Sequence, residues 1–251
     1  MSLQALTANA WPIPILVYHQ INVAPPKGAP FRSLYVAPAA FARQMRALQL
    51  LGYQGLSMSA LLPYLRGERR GKVVGITFDD GYVNNLQHAL PVLQRFGFSS
   101  TCYCVSQRLG RTNDWDAGVG IAPAALMNAS QLRQWVAGGQ EVGVHTRQHV
   151  NLTECDEALA LEEISLSKKE LSAQTGKALE AFCYPYGKFT GKHAEMVRAA
   201  GYASATTTVR GRVRAGLDLL QLPRVPVVRS TTLPVFWLKV ATGYEDRREA
   251  A

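Results

Sequence analysis

Three short segments carry residue types whose spacing suits metal binding and acid–base chemistry. Thr77-Phe78-Asp79-Asp80-Gly81 sets two carboxylates side by side after an apolar run. Like charges that close repel unless a cation or a proton separates them. Neighbouring side chains at a strand end point in different directions, so one carboxylate can bind a metal while the other acts as a base. The same Asp-Asp-Gly would also make a plain turn with a helix N-cap. His145-Thr146-Arg147-Gln148-His149 offers imidazoles at i and i+4, which converge on one metal if the residues between them turn. Two solvated loop histidines would fit that pattern equally well. Phe182-Cys183-Tyr184-Pro185-Tyr186-Gly187 is a turn stiffened by proline and glycine, and it presents Tyr186 by its ring or its backbone N–H.

Each segment follows an expected strand. Residues 14–19, 53–56, 72–78, 99–105, 141–145, 181–184, 202–207 and 219–228 read as strands. Helical spacing covers 38–51, 58–66, 84–96, 130–137, 157–174, 191–200 and 233–242. The stretches 21–36 and 106–128 read as loops. The alternation predicts an α/β fold with a parallel sheet, and seven or so units in one chain of 251 residues favour a barrel. No repeat or linker divides the chain, so 1–251 is read as one domain with its core at about 12–240. Barrel enzymes build their sites at the C-terminal ends of strands. Taken together, the three segments then define an Asp-His-His site with room for water, the layout of a catalytic metal and not a structural one.

Composition narrows the classes. With 47% hydrophobic and 18% charged residues the chain can fill a core, which excludes disorder. No apolar run reaches the ~20 residues of a membrane-spanning helix. The start, MSLQALTANAWPIPILVYH, has no basic n-region and is broken by Pro12 and Pro14, so a cytoplasmic protein is expected. The cysteines, Cys102, Cys104, Cys155 and Cys183, form no CxxC pair and read as free thiols, with the C-x-C pair expected on opposite faces of its strand. The formal charge of +9 suits an anionic neighbour, but no helix-turn-helix or aromatic-basic strand pattern points to nucleic acid. Arg210, Arg212 and Arg214 are expected on the metal's face, where they would suit a phosphate or acidic sugar on a carrier. Arg66, Arg69, Arg70 and Lys72 are expected on the opposite face. The helix holding Pro234, Phe236, Trp237, Leu238 and Lys239 is a candidate for peripheral contact at the inner face of a membrane, with packing against the barrel as the plainer reading.

The order TFDDG, then HxxxH, then the PYG turn resembles that of the polysaccharide deacetylases (NodB-like, carbohydrate esterase family 4). PILVYH, AGY at 200–202 and LPRVPV at 222–227 extend the resemblance over residues 12–240. It implies a distorted (β/α)7 barrel and metal-dependent hydrolysis of an N-acetyl group from an amino sugar, in a cell-envelope glycan or its lipid- or nucleotide-linked precursor. It implies Asp80, His145 and His149 as ligands of a divalent metal, usually zinc, and Asp79 as general base. The backbone N–H of Tyr186 would hold the oxyanion, with Pro185 and Tyr186 against the substrate. Two departures stand out. Many relatives carry Leu-x-His near the C-terminus, whose histidine protonates the leaving amine. Here no histidine follows His193, and the region reads Leu222-Pro223-Arg224. Arginine does not give up a proton near neutral pH. Cys183 stands where many relatives have an arginine that orients the base. His19, ending the first strand, is the substitute acid, against a plain role in shaping the pocket floor or a return of the proton by Asp79. The departures keep an alternative in play: a carbohydrate-binding protein that retains the metal with little or no turnover.

Overall fold

The computed structural model describes residues 12–247. The apolar, β-rich runs form strands and the amphipathic stretches between them form helices. In chain order these are β1 (Ile15–Tyr18), β2 (Gln20–Ile21), β3 (Tyr35–Val36), α1 (Pro38–Leu50), β4 (Gln54–Leu56), α2 (Met58–Leu65) and β5 (Val73–Phe78). There follow α3 (Leu90–Phe96), β6 (Thr101–Cys104), α4 (Ala129–Ala137), β7 (Glu141–Val144) and α5 (Glu157–Thr175). The chain continues through β8 (Ala181–Cys183), α6 (Gly191–Ala199), β9 (Ser204–Arg210), β10 (Leu222–Pro226) and α7 (Leu233–Ala241).

Strands β1, β10, β9, β8, β7, β6 and β5 pair in that order, all parallel, and β5 pairs back onto β1, closing a seven-stranded barrel. Parallel pairing requires each crossover to return over the outside, which is where the helices lie. The barrel is distorted by β4. It pairs with Val73–Gly75 at the start of β5, and the Gly55 carbonyl accepts from the Ser99 N–H, wedging β4 between β5 and the chain entering β6. Helix α1 buries Phe41, Met45 and Leu48. An aromatic cluster joins strands to helices: the Tyr18 ring centre lies 5.2 Å from Phe41 and 5.6 Å from Phe78, and Phe78 meets Trp135 edge-on at 5.8 Å. Polar caps start several helices, with Ser57 before α2, the Asn128–Gln131 capping box before α4 and Asp156 before α5.

Several expectations need correction. The stretch 21–36 is not all loop, because β2 pairs with β3 across it. The helix expected over 84–96 begins as a π-helical turn, Asn85–Ala89, where Pro91 supplies no N–H for the preceding turn. Strand β9 runs beyond Thr207 to Arg210, and its register with β10 shifts between Leu222 and Arg224. The chain then pairs antiparallel at Val213 with Ile13, which precedes β1, so it has turned toward the N-terminal ends of the strands. Cys102 and Cys104 share one face with sulfurs 4.0 Å apart, as the two-residue period of a strand requires. All four cysteines are free thiols. Among the described residues, no helix is long and apolar enough to cross a membrane. The reading of the first eleven residues as lacking an export signal lies outside the described residues.

Candidate metal centre

Because every barrel strand is parallel, the loops after β1, β5, β7 and β8 meet at one end. They bring His19, Asp79 with Asp80, His145 with His149, and Tyr186 around one cavity of about 120 Å³. Pro185 is buried within its turn and does not line the cavity. The expectation that it contacts substrate is therefore corrected: its part is to hold the turn.

Asp80 Oδ1 lies 3.5 Å from His145 Nε2 and 3.3 Å from His149 Nε2, and all three residues are buried. One ligand atom from each falls within 4.8 Å of the others. The outward nitrogens are already held. His145 Nδ1 is 2.7 Å from the Cys183 carbonyl and His149 Nδ1 is 3.1 Å from the Tyr186 hydroxyl. Such outer partners fix ring orientation at metal sites. The Trp115 ring stacks on His149 at 4.5 Å, a contact made by the long 106–128 loop. Burial disfavours the carboxylate form of Asp80, but hydrogen bonds from His145 and His149 outweigh it and hold the pKa well below the usual range. The His145 imidazole is disfavoured as a cation by burial, yet charge at Cys183 and the hydrogen bond to Asp80 raise its pKa well above the ordinary value. An anionic oxygen and two facing imidazole nitrogens, with supported outer atoms, are the donor set of a divalent ion, and the residues fit one.

The backbone is strained where this set is assembled. Asp80, Thr146, His149 and Tyr186 all have positive φ, at 72°, 62°, 61° and 57°; Phe31 is the fifth such non-glycine among the described residues. Strain of this kind costs about 1–3 kcal/mol per residue and persists where surrounding contacts over-determine it. Glycines complete the turns: a Cβ on Gly187, itself at φ 67°, would overlap Thr208, whose N would lie only 2.7 Å away.

Asp79 is placed differently from its neighbour. Arg224 on β10 reaches through the barrel interior and donates to both carboxylate oxygens, at 2.7 Å each. The same guanidinium donates to the Thr207 carbonyl at 2.8 Å and the Thr77 hydroxyl at 3.2 Å, and lies 3.3 Å from Cys183 Sγ. Burial would raise the Asp79 pKa, but the charge and hydrogen bonds of Arg224 outweigh it, so the group sits below the usual carboxylate value. Asp79 also neighbours His145 and Cys183 as a second possible ligand group. Its two oxygens are taken by Arg224, which leaves Asp80 as the carboxylate open to an ion. His19 Nε2 lies 4.0 Å from Asp79 Oδ2, on a side chain 27% exposed on the cavity wall.

Sequence reasoning missed Arg224 as the partner of Asp79 and Trp115 as the partner of His149. For Arg224 a signal exists: a lone cation between two prolines in an otherwise apolar strand must find a buried counter-charge. Arg210 and Arg212 do not reach the cavity. Arg210 pairs with Glu245 at 2.7 Å and Arg212 with Asp246 at 2.8 Å, and Arg212 lies where the chain has turned back toward Ile13. His88 lies in the π-helical turn, and His193 Nδ1 accepts from the Thr190 N–H at the start of α6.

A barrel closed by seven parallel strands, with this cluster at their C-terminal ends, defines an α/β-barrel with a metal-type site. Residues 66–205 match the family model described as polysaccharide deacetylase, and the chain belongs to that family. It is 26% identical over 217 residues to YxkH of Bacillus subtilis, whose name assigns it provisionally to the polysaccharide deacetylases; the match covers 86% of this chain and 71% of that protein. It is 21% identical over 199 residues to the poly-β-1,6-N-acetyl-D-glucosamine N-deacetylase of Staphylococcus aureus, covering 76% of this chain and 67% of the other. The structure of the Streptococcus pyogenes deacetylase PplD in complex with acetate has the same fold, with a TM-score of 0.80 at 24% identity over 92% of this chain and 98% of that one.

Proposed function

We propose that the protein is a metal-dependent hydrolase that removes the acetyl group from an N-acetylated amino sugar of a cell-envelope glycan or its precursor. The observation that carries this reading is the meeting of Asp80, His145 and His149 at one point beside an ionised Asp79. A divalent ion at those three residues, zinc by preference, would polarise the acetyl carbonyl and acidify a water there.

The chain's own groups divide the remaining work. Asp79 accepts a proton from the attacking water, and Arg224 fixes both the direction and the ionised state of that carboxylate. The Tyr186 backbone N–H donates to the developing oxyanion. His19 protonates the departing amine. It faces Asp79 from the exposed side of the cavity, while Arg224 faces it from the buried side. A cavity of about 120 Å³ takes an acetamido group and leaves the sugar ring at the rim, beside Phe31 and Tyr186. The poly-β-1,6-N-acetyl-D-glucosamine N-deacetylase named in Staphylococcus aureus supports an N-acetylglucosamine substrate.

The Arg224–Asp79 pair favours an enzyme over a binding protein that has lost turnover. Cys183 does not supply the base with a cation, but its small side chain leaves space for one from β10. Acetate release from N-acetylglucosamine oligomers separates the two. Expected are release that stops with chelator and returns with added metal, and a His19→Ala protein with full metal content but turnover reduced about 10²–10⁴-fold. Oligomer binding with no acetate released under any metal would establish the binding protein instead.

A further inference from the structure

The end of the barrel away from the metal centre carries a second built surface. A cavity of about 580 Å³ opens there, floored by Ile13 and Val73 and walled by Tyr53 and Trp237. Arg70, Lys72 and Arg212 are also in its lining, and among the described residues no acidic side chain contributes to it. A second cavity, of about 350 Å³, shares Pro12 and Ile13 with it and adds Arg66 and Arg214. Lys72 lays its ammonium 4.7 Å over the Tyr53 ring, keeping an exposed charge at the rim of an apolar wall. Arg212 and Arg214 both approach Asp246, so the charge in excess comes from Arg66, Arg69 and Lys72, offset in that loop by Glu68.

The apolar share is just as specific. Helix α7 buries Phe236 and Val240 against the barrel, yet leaves Trp237 46% and Leu233 40% exposed. Leu50, at the end of α1 and three residues before Tyr53, is 75% exposed. Helices run back from the strand tops, so the C-terminus of α1 lies at this same end. A tryptophan beside a ring of cations is the pattern of an interfacial anchor, with indole at headgroup depth and cations toward anionic phosphates.

We infer that this end of the barrel docks on an anionic lipid bilayer, through Arg66, Arg69 and Lys72 for charge and Trp237 for insertion. Docking by this end turns the metal centre away from the bilayer, toward glycan standing off its surface. The inference does not rest on the deacetylase reading, since nothing in it uses the catalytic residues.

Co-sedimentation at low salt with vesicles of phosphatidylglycerol and phosphatidylcholine tests it. The protein is expected to pellet with the mixed vesicles, not with phosphatidylcholine alone, and to be released by salt. Replacing Arg69 and Lys72 together by glutamine lowers partitioning about 25-fold, from about fivefold per cation. Trp237→Ala weakens binding without changing its salt dependence, and both variants release acetate from soluble oligomers as the parent does. Undiminished binding by the double variant would overturn the inference. So would abolition of vesicle binding by millimolar inorganic phosphate, which would mark a small-anion pocket. Loss of binding on deleting residues 2–11, with the double variant unaffected, would assign the membrane contact to that segment and also overturn it.

Discussion

Two adjacent aspartates can coexist in this site because each has its own partners: the Arg224 guanidinium for Asp79, the two imidazoles for Asp80. The Arg224 contact is the one on which the rest of the base chemistry depends. Breaking a buried ion pair from one side costs about 3–5 kcal/mol, because the other charge stays buried and unpaired. Arg224→Met is therefore expected to lower stability by that amount in chemical denaturation. Adding Asp79→Asn to it should recover much of the loss, since no buried charge remains. The sign of the accompanying pH effect follows from the forces on Asp79. Without Arg224 the burial effect is opposed only by His19 and His145, the pKa rises, and the acidic limb of the rate profile moves to higher pH. The ligand residues are legible in the sequence because each lies within five residues of its motif partner or at the end of an apolar run. The base's partner is not: Arg224 and Asp79 are 145 positions apart and meet only because β10 crosses the interior of a closed barrel.

Strand ends and turns decide where these side chains point. The strand–helix alternation was readable from periodicity, because that signal is local. The end of β9 was not, since Thr-Thr-Thr-Val-Arg continues as strand without any breaker until Gly211. That difference of three residues moved Arg210 and Arg212 from the expected site face to ion pairs with Glu245 and Asp246. The PYG turn makes the opposite case, because its residue types specify its shape. Gly187 has positive φ and no space for a Cβ. Gly187→Ala is expected to destabilise the fold by more than about 1 kcal/mol and to disturb Tyr186, whose carbonyl accepts from the Thr208 hydroxyl. A variant that melts with the parent and retains full acetate release would contradict that account of the turn.

At the scale of the molecule, the barrel separates a metal-type cluster at one end from a basic, aromatic-lined surface at the other. The C-terminal segment ties the second end together. Burial would raise the Asp246 pKa, but hydrogen bonds and charge from Arg212 lower it below the usual carboxylate value. A folded value below the unfolded one stabilises above about pH 3.9 and loses that stabilisation as pH falls through the folded value. The melting temperature of the parent should thus exceed that of Asp246→Asn at neutral pH, and the difference should close in acid. The central claim concerns the other end, and metal content measured alongside acetate release tests it most directly. One divalent ion per chain is expected in the parent and in Asp79→Asn, with turnover lost only in the latter. Asp80→Ala and His149→Ala should hold no ion and release no acetate. Full metal content in those two variants, or acetate release that survives complete removal of metal from the parent, would contradict the account.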